Sequence, residues 1–233
     1  MSKNVAFGVG QSVSSRLAVL GRLIKKQADA GAARLNVLEV GSYEGGSALT
    51  LSAFIAQHCE HGGSITCVDP WKPYLPEEDI GSNETCRRMQ EDFKAGSVFE
   101  RFVDNIKHAH EKAPINFYVG TLAEAVKGSV VLEGQYDLAY IDGSHAYKDV
   151  LSDIRSAKKL LKIGGIMCGD DLERQFEECD KDLTFANKHR EFINGYHPGV
   201  TLAVWKAFGK VWCEDAVWAV RKIDKQGKHW SSS

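Results

Sequence analysis

Residues 38–49 read LEVGSYEGGSAL. Leu38 to Val40 close an apolar run that begins at Asn36, and Ser47 opens a stretch patterned as a helix as far as His58. Three glycines, Gly41, Gly45 and Gly46, fall within the six residues 41–46 between them. A glycine-rich turn from a buried strand into a helix lets a ligand approach the main chain closely. Two common ligands fail at this turn. A dinucleotide fingerprint, GxGxxG, needs glycine where Tyr43 stands, because the pyrophosphate requires bare backbone there. A Walker A loop needs lysine before its Ser or Thr, and the turn has none. What remains is an acid, Glu39, one residue inside the strand end, and a turn that can pass beneath a ligand without holding phosphate.

Outward from that turn, strands and helices alternate. Residues 64–69 (SITCVD) read as a second strand. Residues 115–119 read as a third, followed by a short helix at 122–126. Residues 136–142 (YDLAYID) form a fourth, and the stripe Tyr147, Val150, Leu151, Ile154, Ala157 and Leu161 marks the helix after it. Gly164-Gly165 turns the chain into a fifth strand at 166–168. Upstream, Val13, Leu17, Leu20 and Ile24 recur at helical spacing, which predicts an N-terminal helix over 11–30. This alternation implies a parallel sheet covered by helices on both faces. The C-terminal part departs from it: after a helix near 200–208, residues 210–213 and 216–220 flank Glu214-Asp215 as an antiparallel hairpin.

The 233 residues fit one domain spanning 1–233. With 29 basic and 31 acidic residues and no basic stripe, a nucleic-acid partner is not expected. The six cysteines form no CxxC pair, so neither a zinc site nor a disulfide framework is expected, and Cys67 and Cys168 read as core residues. No apolar run approaches about 18 residues and the first residues lack the regions of a signal peptide, so a soluble cytoplasmic protein without membrane contact is expected. Two irregular segments interrupt the core. Residues 71–96 form a lid-like insertion with Cys86, Met89 and Phe93 turned inward, followed by a helix opened by a Ser97/Glu100 capping box. Residues 172–198 form a polar, substrate-side segment in which His197 is a candidate wall residue. Both leave the carboxyl ends of strands, the edge where α/β sheets bind ligands. The tail at 231–233 reads as disordered.

The turn resembles the first motif of class I S-adenosylmethionine-dependent methyltransferases, (Glu/Asp)-x-Gly-x-Gly-x-Gly. Asp69 ends the second strand where that family's acid meets the ribose hydroxyls, and Gly120-Thr121-Leu122 follows the third strand where the family flanks adenine. The likeness covers roughly residues 36–220. It implies a Rossmann-like α/β fold with a seven-stranded, mostly parallel sheet ending in an antiparallel hairpin. It also implies S-adenosylmethionine held by Glu39, Gly41, Ser42, Tyr43, Gly45, Ser47, Asp69, Trp71, Gly120, Thr121 and Leu122. The family's usual acid after the third strand is replaced here by Gly120-Thr121, which leaves the adenine amino contact to main chain.

A second constellation pairs IDGSHAY (141–147) with GDD (169–171). Asp142 ends the fourth strand, and Asp170 and Asp171 end the fifth. Strands so placed are neighbours, and three uncompensated carboxylates at one edge repel by several kcal/mol. A divalent cation resolves this, and an all-oxygen set favours magnesium, with manganese or calcium as alternatives. The pattern resembles metal-dependent O-methyltransferases, distantly the catechol type and more closely the macrolide-sugar type with Asp-x-x-His, here Asp142 to His145. That likeness implies Asp142, Asp170 and Asp171 as metal ligands, Asp142 and His145 as catalytic, and His145 as general base. The expected acceptor is a small hydroxylated molecule, a sugar or polyol first and a catechol second. Two other readings stay open: a related-fold oxidoreductase or hydroxylase, and a non-catalytic cofactor-binding module. The N-terminal helix and the Trp212/Trp218 hairpin pack either internally or in a homo-oligomer.

Overall fold

A computed structural model describes residues 14–81, 83–224 and 230–232. Five strands run parallel: β1 (Leu35–Val40), β2 (Gly63–Asp69), β3 (Ile115–Val119), β4 (Tyr136–Ile141) and β5 (Leu161–Gly169). The hairpin supplies β6 (Trp212–Glu214) and β7 (Val217–Lys222), with β7 antiparallel to β5. Across the sheet the order is β3-β2-β1-β4-β5-β7-β6. Chain direction across the sheet therefore reverses between β1 and β4, and the crevice outside their carboxyl ends is where such sheets bind ligands.

Helices α1 (Ser14–Asp29), α2 (Gly46–His58), α4 (Glu84–Ala95) and α5 (Ser97–Asn105) bury residues in one core cluster with Leu35, Val37 and Cys67. Helices α6 (Leu122–Lys127), α7 (Tyr147–Leu160) and α9 (Pro198–Phe208) cover the opposite face with Leu38, Val40 and Met167. Strand alternation divides β1 between the two cores, and it turns Glu39 toward the α2 side. The predicted N-terminal helix is seen from Ser14; residues 11–13, including Val13, lie outside the described part. Gly21 lets α1 approach α2, since a Cβ there would stand 2.4 Å from the Phe54 ring. The short helices α3 (Glu77–Ile80) and α8 (Lys181–Ala186) lie within the two irregular segments. Among the described residues no helix is long and apolar enough to cross a membrane.

Three expectations change, and the hairpin takes one of its two expected packings. β5 begins at Leu161, because Gly164 takes φ +82° inside the strand instead of ending a turn before it. The Ser97/Glu100 capping box is not formed: Gly96, at φ +76°, closes α4 and opens α5, while the Ser97 hydroxyl donates to the Asp92 carbonyl at 3.1 Å. The tail contributes a short eighth strand, β8 (Trp230–Ser232), paired antiparallel with β7 beyond the end of β6. The hairpin tryptophans turn inward, Trp218 fully buried and Trp212 packed against the first core.

Candidate active site

The glycine turn is shaped first by close backbone approach. A Cβ at Gly41 would stand 2.2 Å from the Asp142 carbonyl oxygen, and Gly41 has φ +81°. The Gly41 N–H donates to Val68 and the Asp142 N–H to Val40, which ties the ends of β1, β2 and β4 together. Asp69 then fixes the turn. Its Oδ2 accepts the N–H groups of Ser42 (2.9 Å) and Tyr43 (3.0 Å), and its Oδ1 accepts that of Trp71 (2.6 Å). A carboxylate has about four acceptor positions, so Asp69 keeps room for one further donor and not for both ribose hydroxyls.

Trp71 donates its indole N–H to the Tyr43 carbonyl at 2.8 Å and packs on Phe99 and Phe102 at 5.0 and 4.5 Å between ring centroids. It is an anchor behind the turn, outside the cavity lining. Glu39 and Gly45 also lie outside the lining. Glu39 is fully buried and meets the Cys67 thiol at 3.2 Å, and its Oε1 has no partner at full hydrogen-bond geometry among the described residues; burial raises its pKa. Gly45, at φ +85°, caps α2.

One cavity of about 680 Å³ runs along this edge. Its first half is walled by Gly41, Ser42, Tyr43, Ser47, Asp69 and the run Gly120 to Ala123. The Ser42 hydroxyl is buried, with no partner at full hydrogen-bond geometry among the described residues. Its second half is walled by Arg16, Asp142, His145, Asp170, Asp171, Glu191 and His197. The volume falls in the range that suits a nucleoside together with a small second ligand.

The acidic half has its own electrostatic logic. Asp171, at φ +64°, accepts from Arg16 Nη1 at 2.6 Å and faces His145 Nε2 at 2.9 Å. Burial alone would raise its pKa, but His145, His197 and Arg16 hold it well below the usual carboxylate range. Asp170 is pushed up to about 6 by burial and then by Asp171, although Arg16 stands 2.9 Å away. Burial, followed by Asp170 and Asp171, raises Asp142 well above its ordinary value; Tyr140 donates to it at 2.9 Å. His145 is held between Asp171 and Glu191, whose Oε1 lies 2.8 Å from Nδ1. Burial would lower its pKa, but Glu191 and Asp171 raise it well above the usual value. These two acids favour the protonated form of the ring, whereas the motif makes His145 a general base.

After burial, neighbouring carboxylates are the next cause that raises Asp142 and Asp170, so added positive charge between them would be favoured. Ligand atoms of Asp142, His145 and Asp171 lie within 4.8 Å of one another, a set able to hold a metal ion. Asp170 joins no such set among the described residues; its Oδ1 takes Arg16 and the Asp171 N–H. The donor set thus fits a divalent cation through Asp142 and Asp171, with Asp170 one step back.

A methyltransferase-domain family model matches residues 38–172, more than half of the chain. The chain belongs to this methyltransferase-domain family. Among proteins of curated function, none matches. Solved structures similar to the methyltransferase include the O-methyltransferase NovP, at 13% identity and TM-score 0.58, covering 90% of this chain and 80% of that one. CalS11, a calicheamicin methyltransferase, is similar at 16% identity and TM-score 0.53, covering 89% and 79%. The Bacillus cereus O-methyltransferase, solved with SAH, is similar at 15% identity and TM-score 0.51, covering 92% and 84%. These likenesses place the methyltransferase in the class I fold.

Of the sequence-predicted site residues, twelve line the methyltransferase's cavity: Gly41, Ser42, Tyr43, Ser47, Asp69, Gly120, Thr121, Leu122, Asp142, His145, Asp170 and Asp171. Sequence reasoning missed Arg16, Glu173 and Glu191. Arg16 reaches Asp171 from 155 residues away, with no local pattern to mark it. Glu173, two positions after Asp171, lies 3.1 Å from His197 Nδ1 and 3.2 Å from Arg16. The two irregular segments meet over this end: Asp79 accepts from Arg190 Nη2 at 2.7 Å and from the Glu191 N–H at 2.9 Å.

Proposed function

We propose that this methyltransferase moves the methyl group of S-adenosylmethionine onto a hydroxyl oxygen of a small polar acceptor, with help from a divalent cation, magnesium by preference. A sugar or polyol is the first acceptor class and a catechol the second. The observation that carries this reading is the single cavity joining the Gly41–Asp69 turn to the Asp142–Asp171–His145 end. The O-methyltransferase neighbours, one of them solved with SAH, support it at the level of fold.

The chemistry is an in-line displacement: the acceptor oxygen bonds to the methyl carbon as the carbon–sulfur bond breaks, leaving a neutral thioether, and the acceptor proton goes to a base. Proximity and alignment carry much of such a rate. The glycine turn, fixed by Asp69, holds the donor; Tyr74, Phe192 and His197 bound the acceptor side. A divalent cation on Asp142 and Asp171 would supply a Lewis acid for the acceptor hydroxyl and would offset the carboxylates that raise the His145 pKa. His145 Nε2, with Glu191 orienting the ring through Nδ1, is then the proton acceptor.

The test is transfer of a labelled methyl group across a panel of sugars, polyols and catechols. Wild-type protein is expected to label oxygen in at least one acceptor. Asp171→Asn and added chelator are each expected to lower the rate by at least about 100-fold. Undiminished transfer in chelator would remove the cation from the account. Cofactor binding with no transfer to any acceptor would favour the non-catalytic module.

A further inference from the structure

The nucleoside half of the cavity contains a carboxyl that no described residue engages. Asp153 lies on α7, one turn beyond Asp149, and lines the cavity. Its Oδ2 is 3.8 Å from where a Cβ on Gly143 would stand, and Gly143 in turn abuts Gly41. The carboxyl therefore stands beside the glycine turn, on the same cavity as the run Gly120 to Ala123.

The other acids near this half are engaged. Asp69 accepts three main-chain N–H groups. Asp149 accepts from the Ser144 hydroxyl at 2.9 Å. Glu124 accepts from the Thr121 N–H and hydroxyl at 2.8 and 2.9 Å, so the turn after β3 offers no free side-chain acid. Asp153 makes no hydrogen bond or ion pair among the described residues. Burial, then Asp149, pushes its carboxyl up to about 7. A carboxyl that keeps its proton near neutral pH presents a donor and an acceptor side by side. A 6-aminopurine edge is the complement: its exocyclic amino group donates and its neighbouring ring nitrogen, N1, accepts.

We propose that Asp153 recognises the adenine ring of the methyl donor, accepting from its amino group and donating to N1. Resting on the S-adenosylmethionine reading above, this assigns to α7 the contact that the turn after β3 lacks. Asp153 is then a specificity residue for the nucleoside, remote from the transferred methyl group.

Calorimetric titration with S-adenosylhomocysteine and with its 6-deamino analogue, which carries purine for adenine, tests the assignment. Wild-type protein is expected to bind the adenine compound about tenfold more tightly, the worth of a hydrogen bond lost from a site built for it. Asp153→Ala is expected to erase that preference, weakening the adenine compound about a hundredfold and the analogue, which keeps N1, about tenfold. Asp153→Asn presents the same donor–acceptor edge and is expected to keep the preference, which also controls for folding. Equal weakening of both compounds by Asp153→Ala, or no weakening of either, overturns the proposal. Wild-type binding of both compounds without preference overturns it while leaving the proposed function standing. Failure of the wild type to bind either overturns both.

Discussion

Glu39 is fully buried between β1 and α2, meets the Cys67 thiol and keeps one oxygen unpartnered among the described residues, and burial raises its pKa. The folded chain holds this proton to higher pH than the unfolded chain does. A raised acid contributes stability fully below its unfolded value of about 4.3 and loses it as pH climbs toward the folded value. Glu39→Gln is expected to match wild type in urea unfolding at pH about 4 and to exceed it at pH about 8, by on the order of 1–3 kcal/mol. The same difference at both pH values would mean that charge is not the cause. Arg16 offers a second case. Its Nη1 stands 2.9 Å from Asp170 and 2.6 Å from Asp171, so it competes with any cation for the same oxygens. Arg16→Met is expected to tighten Mn2+ binding about tenfold by calorimetry, the equivalent of about 1.4 kcal/mol. Unchanged affinity would place the cation away from Asp171.

The turn after β1 and the two irregular segments are where local chemistry decides geometry. Gly41→Ala would drive a methyl group into the Asp142 carbonyl at 2.2 Å, from a backbone with φ +81°. The variant is expected to lose more than about 2 kcal/mol of stability, measured by denaturant unfolding, because both the clash and the left-handed backbone cost energy. An intact midpoint would show that the turn can relax. Asp79 and Arg190 join segments 111 residues apart. Asp79→Ala is expected to speed amide hydrogen exchange at 77–80 and 181–193 by at least about tenfold while the sheet stays protected; unchanged exchange there would mean that the segments hold without it. These two cases also mark what sequence could reveal. Strand period, glycine spacing and the hairpin turn are local, so β1 to β4, α7 and the Gly41 turn were legible within a residue or two. The Asp79–Arg190 and Arg16–Asp171 pairs join residues far apart in the chain and left no pattern to read. The Ser97 box failed for a local reason: Gly96 already caps both helices.

The sheet order β3-β2-β1-β4-β5-β7-β6 brings the ends of β1, β2, β4 and β5 to one edge, and a cavity of about 680 Å³ collects what those ends carry. Motifs 100 residues apart in the chain thereby become two halves of one site. This was foreseeable from the alternation of strands and helices, since parallel strands carry their turns to a common edge. The charge state of the acidic half was not, because it depends on Arg16, Glu191 and His197 arriving from other elements. The central claim is that the glycine-turn half holds a sulfur nucleoside, and thermal unfolding with and without S-adenosylhomocysteine measures it most directly. Ligand at about 100 times its Kd contributes about 2.7 kcal/mol, which for a chain of this size raises Tm by about 5–10 °C. That rise is the predicted result. An unchanged Tm with the nucleoside at millimolar concentration would contradict the account.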